Sequence, residues 1–171
     1  AVALVEQSDL RLDAGDFPGS ARCMAEAARC LDELRAAGLD SVDVRFLSAL
    51  NELNQARGEL SDPQAPPLGA ATLSRLERCV GELILLHQLF PERPHYAFWS
   101  AQGDAQWAEA LARAGSASVA QAEAHWDRAQ ETLKDLAARY AMMPVYGLEL
   151  GKLLTTRGRR LLERVNDCDI G

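Results

Sequence analysis

A chain of 171 residues fits one domain of ordinary size, long enough to bury a core. With 48% apolar and 25% charged residues it reads as a soluble globular chain, and only four Phe, three Trp and three Tyr argue against a β-rich core. The net charge of −7 opposes nonspecific binding to nucleic acid or to an anionic membrane, because both attract a positive surface.

In chain order, apolar residues at helical spacing predict seven helices, at 2–14, 18–37, 42–59, 72–90, 94–114, 118–140 and 143–165. Gly15-Asp16-Phe17-Pro18 closes the first and opens the second, and Gly38-Leu39-Asp40-Ser41 does the same between the second and third. Between the third and fourth, the prolines at 63, 66 and 67 forbid a continuous helix and predict an exposed loop over 61–71. Pro94 and Pro144 each suit the first residue of a helix, where the missing N–H costs nothing. Ser118 with Gln121 matches a capping box at the start of the sixth. Core stripes follow as Leu47, Leu50 and Leu53, then Leu76, Leu83, Leu86 and Phe90, then Leu133, Leu136 and Tyr140. No strand signal is present.

A repeat runs through these helices. Small residues seven apart occur as Ser8 and Gly15, Asn51 and Gly58, Ala101 and Ala108, and Gly151 and Gly158, with Asn51 the loosest fit. From pair to pair the spacing is 43, then 50, then 50 residues. Phe46, Tyr96 and Tyr146 share one column, and Val44, Pro94 and Pro144 another. A fixed period of this length marks a stacked array whose units cannot bury their apolar faces alone. The expected organisation is a single helical-repeat domain, 1–171, with units at 1–37, 42–90 and 94–140 and a final helix at 143–165.

The string Leu12-Asp13-Ala14-Gly15-Asp16-Phe17, followed by Ala21 and Ala28, resembles the tetratricopeptide repeat, in a degenerate variant with a long period. The later units, with Phe90-Pro91, Pro94 and Tyr96, look like longer variants found beside bacterial signalling kinases. The stretch from Phe90 to Glu163 is also similar in layout to the helical C-terminal half of SET and MYND lysine methyltransferases. The first resemblance implies an all-α, right-handed α-solenoid of antiparallel helix hairpins, with an inner face made by the first helix of each pair. Its register assigns Val5, Asp9, Leu12, Arg45, Ser48, Glu52, Gln55, His95, Phe98, Gln102, Lys152 and Thr155 to that groove. The family's carboxylate clamp uses Lys and Asn at the fifth and ninth positions. Here those positions hold Val5 and Asp9, Ser48 and Glu52, Phe98 and Gln102, and Leu148 and Lys152, so the clamp is absent. Asp9 and Glu52 would repel a C-terminal carboxylate and favour a basic or apolar protein or peptide partner.

Little in the chain points to chemistry. His87, His95 and His125 have no nucleophile motif around them, and His125 reads as a half-exposed helical residue. His95 is a candidate groove contact. Acidic residues read as solvated helix faces, and Trp99 and Trp107, eight apart, read as core. Cys23, Cys30, Cys79 and Cys168 form no metal pattern and read as buried thiols of a reducing cytoplasm. No cofactor, metal, nucleic acid or membrane partner is expected. Arg157, Arg159, Arg160 and Arg164, near Lys152, make a basic C-terminal patch that either complements the helix dipole or docks an acidic partner. The last helix, unpaired, can close against a second copy as a homodimer. The chain does not begin with Met, which reads as a fragment or a processed form. The expected function is a non-catalytic protein-interaction scaffold in the cytoplasm, with a signalling role. The alternative is a recruiting or regulatory helical segment of a larger enzyme, a kinase or a SET/MYND-type methyltransferase.

Overall fold

A computed structural model describes residues 1–62, 69–114 and 119–168, with side chains as far as residue 163. Among the described residues lie seven α-helices and no strand: α1 (Val2–Asp13), α2 (Phe17–Ala36), α3 (Val42–Ser61), α4 (Ala70–Leu89), α5 (Pro94–Ala114), α6 (Val119–Arg139) and α7 (Pro144–Cys168). Every helix end falls within three residues of its sequence expectation, because the ends are set by local chemistry. Gly15 and Gly38 adopt φ of 75° and 78°, the left-handed conformation that lets a helix stop where a β-carbon would be strained. The Asp16 carboxylate accepts the Gly19 N–H at 2.9 Å, and the Ser41 hydroxyl accepts the Val44 N–H at 3.3 Å. Each satisfies a donor that the first helical turn leaves unpaired. Pro94 and Pro144 open α5 and α7 as their first residues. Most of the Pro-rich loop, the Ser118 capping box and the Arg164 and Cys168 side chains lie outside the described residues.

The chain divides into two compact units, Ala1–Pro91 and Glu92–Gly171, parted inside the Pro91-Glu92-Arg93-Pro94 break. In the first unit α3 is central and packs against α1, α2 and α4. Leu31, Leu53, Leu76, Leu83 and Leu86 form its core, none more than 2% exposed. Each such side chain contributes about 1.5–3 kcal/mol by leaving water. A polar seam crosses this core. The Ser20 hydroxyl donates to the Ser8 carbonyl at 2.8 Å, the Asn54 amide to the Ser8 hydroxyl at 3.1 Å, and the Asn51 amide to the Met24 carbonyl at 3.1 Å. Asn51 therefore stands in a small-residue column for its amide, which pins α3 to α2. Gly58 is the true small residue of its pair, since a β-carbon there would come within 3.3 Å of Leu12.

The second unit is built from α5, α6 and α7, each touching the other two. Ala101 and Ala108 of α5 and Ala122 and Ala129 of α6 are 1% exposed or less, and Trp126 fills the interior beside them at 1%. Small side chains let the backbones approach, and the indole takes up the remaining volume. Trp99 and Trp107 were expected in the core and are only half-buried. Trp107 nonetheless packs against the core of this unit, and Trp126 on α6 is the tryptophan fully buried within it.

Candidate functional site

In the first unit, α3 and α4 are joined by a ladder of ion pairs. Arg45 meets Glu82 at 2.7 Å, Glu52 meets Arg78 at 3.0 Å, and Glu59 meets Arg75 at 2.6 Å while also accepting the Thr72 hydroxyl at 2.6 Å. The α3 members are seven residues apart, nearly two full turns, so they form one row along one face. At one end of the ladder a cleft of about 360 Å³ opens, with Arg45, Ser48 and Glu52 on one wall and Arg78 and Glu82 on the other. Arg35, Asp40, Ala49 and the buried Cys79 complete its lining.

The groups in this cleft are unequally held. The Arg78 side chain is 68% exposed against 30% for Glu52, so the guanidinium is the outer member of that pair. The hydrogen bond that Arg45 donates to Glu82 holds it charged more firmly than an ordinary guanidinium, and the bonds to Glu52 do the same for Arg78. Burial, with the Glu52 charge beside it, pushes the Cys79 thiol up to about 12, so it stays protonated and unreactive at neutral pH. Ser48 is buried and donates its hydroxyl to the Val44 carbonyl at 2.8 Å, leaving Arg45 and Glu52 as the addressable groups of the predicted set.

The other residues assigned to the groove fare differently. Val5 and Leu12 are core residues at 4% and 8% exposure, because α1 turns that face onto α2 and α3. Asp9 is engaged by Arg57, which also reaches Asp13, and Gln55 is half-buried on α3. The repulsion expected from Asp9 and Glu52 is therefore offset by Arg57 and Arg78. In the second unit, Gln102 of α5 donates to Glu149 of α7 at 2.9 Å, and Lys152 pairs with the same carboxylate at 2.7 Å. Phe98 packs on Tyr146 with ring centres 5.6 Å apart. His95 is exposed and lies against Tyr96 at 4.0 Å, and Thr155 is exposed.

The basic C-terminal patch is smaller than its sequence implies. Arg157 lies between Glu123 and Asp127, each at 2.8 Å, and stays charged against the cost of its burial because of them. Arg160 is bound to Glu109 of α5 and to Glu163 at 2.6 Å. These two arginines hold α7 to its neighbours, and Arg159 is the exposed cation that remains among the described side chains.

Two buried carboxylates went unnoticed among acidic residues read as solvated. Glu109 would be pushed up by its burial, but Arg160 first and then Arg113 outweigh that and hold it below its usual range. The Asp104 side chain, 4% exposed, accepts from Arg128 at 2.8 Å and lies 2.6 Å from Nδ1 of His125, whose ring stacks on Trp107. The Arg128 guanidinium neutralises a charge that could not otherwise be buried, with the His125 ring packed at hydrogen-bond distance beside it. Asp104 lies three residues after Ala101, on the packed side of α5, and that placement was the available signal.

No family model, no curated protein and no solved structure matches the chain. Among the described residues no helix is long and apolar enough to cross a membrane, and no group of three or more His, Cys, Asp and Glu side chains could hold a metal ion.

Proposed function

We propose that the chain is a non-catalytic protein-interaction scaffold of the tetratricopeptide-like kind, built as antiparallel hairpins of a right-handed solenoid. The order of the ladder supports the hairpin reading, since Arg45 near the start of α3 meets Glu82 while Glu59 near its end meets Arg75. The observation that carries the function is the α3/α4 cleft, where Glu52 is covered by a guanidinium, that of Arg78, which is itself mostly in water. An exposed ion pair is worth little, so Arg78 can be displaced from Glu52 at small cost. A peptide that presents a basic side chain takes that place on Glu52 and lays its apolar neighbours against the cleft. Recognition is by shape and charge, with no bond made or broken.

A display selection of random 15-residue peptides against the purified protein tests this. Basic, partly apolar peptides are expected to be enriched. Glu52→Gln is expected to weaken them by about tenfold, while Arg78→Ala, which uncovers Glu52, leaves binding equal or tighter. Failure to enrich any peptide, or enriched peptides indifferent to Glu52→Gln, refutes the reading.

A further inference from the structure

One row of positions recurs on the odd-numbered helices at the fifty-residue offset of the repeat: 45, 52 and 59 on α3; 95, 102 and 109 on α5; 145, 152 and 159 on α7. On α3 it receives α4, through Arg45, Glu52 and Glu59. On α5 it receives α7: Gln102 holds Glu149, and the buried Glu109 is met by Arg160. Where an acid stands at 52, 59 or 109, the neighbour brings an arginine to it.

On α7 the same row is open and its charge is reversed. Val145 is 39% exposed, Lys152 is paired only within its own helix, and Arg159 is exposed with no partner among the described residues. Around them lies an apolar surface, with Leu148 60% and Leu162 68% exposed. A shallow depression of about 570 Å³ runs past Gly147, Gly151 and Thr155, and a β-carbon at either glycine would meet nothing within 4 Å. Such a helix face admits a second helix at close range. Its cations decide which kind, because like charges across a closing interface cost affinity and opposite charges set the register.

We infer that this face of α7 docks an acidic amphipathic helix of a partner protein, with leucine-type side chains against Leu148 and Leu162 and carboxylates on Lys152 and Arg159. The site is separate from the α3/α4 cleft and calls for a partner of opposite charge.

Two labelled 18-residue helical peptides provide the test. Both carry a leucine stripe, one flanked by Glu and the other by Lys in the same positions, and each is titrated against the whole chain by fluorescence anisotropy. The acidic peptide is expected to bind at least about tenfold more tightly, with affinity falling as salt is raised. In Lys152→Glu/Arg159→Glu the preference is expected to reverse, with unchanged helicity by circular dichroism, since both side chains lie in water. Glu52→Gln is expected to leave acidic-peptide binding unchanged, which separates this site from the cleft. Equal binding of the two peptides, no binding of the acidic one, or a preference unmoved by the double variant overturns the inference. So does a dimer in sedimentation velocity that the double variant dissociates, which would give the face to a second copy.

Discussion

Removing Arg160 from Glu109 is the sharpest test of the second unit. The Glu109 side chain is 12% exposed and accepts Arg160 Nε at 3.1 Å, a further bond from the same guanidinium, and Arg113 Nε at 2.9 Å. Arg160→Met keeps most of the packing stem and deletes the charge. Taking one partner from a fully buried pair costs about 3–5 kcal/mol. Arg113 remains, and Arg160 itself is 25% exposed, so the loss falls nearer the charge-assisted hydrogen-bond range of about 1.5–3 kcal/mol. A value of about 2 kcal/mol, roughly a thirtyfold change in the unfolding constant, is expected from urea titrations at pH 7. The pH dependence follows from the sign of the shift. Glu109 is held below its ordinary value in the folded protein, so the unfolded chain takes up the proton first on acidification. Its stabilising contribution is present above the unfolded value of about 4.3 and is lost as pH falls through the lower folded value. In Arg160→Met burial gains weight against Arg113 alone, so the loss on acidification shrinks. A double-mutant cycle with Glu109→Gln isolates the pair. Strict additivity, or a loss below about 0.5 kcal/mol at pH 7, would refute the assignment of Arg160 to Glu109.

Two further expectations follow from burial. Iodoacetamide at pH 8 is expected to modify Cys30, which is partly exposed, well before Cys79, which is 1% exposed with its thiol pushed up to about 12; peptide mass mapping that finds Cys79 labelled at the same rate would contradict its burial. Gly151→Ala and Gly158→Ala on α7 are expected to stabilise the protein by about 0.5–1 kcal/mol each, since the new methyl meets nothing and helix propensity rises. Gly58→Ala is expected to gain less or to destabilise, because its methyl comes within 3.3 Å of Leu12, and equal gains at all three in thermal melts would contradict that difference.

By itself the sequence determined the seven helices and where they end. The signals involved act within a single turn: Asp16 and Ser41 reach donors three residues on, Gly15 and Gly38 supply the left-handed stop, and Pro94 and Pro144 suit a first turn wherever it lies. It also determined most of each core stripe, because helical spacing alone puts Leu76, Leu83 and Leu86 on one side. Only the tertiary structure decided what each charge does. Val5 and Leu12 left the predicted groove, and Arg157 and Arg160 left the predicted patch, once neighbouring helices closed on their faces. Asp104 and Glu109 look like any acidic residue in a polar helix until an arginine from another turn or another helix reaches them. The physical reason is one of range. Capping and periodicity bind residues a few positions apart, whereas these ion pairs join groups 24 to 51 positions apart, so their partners are chosen by packing.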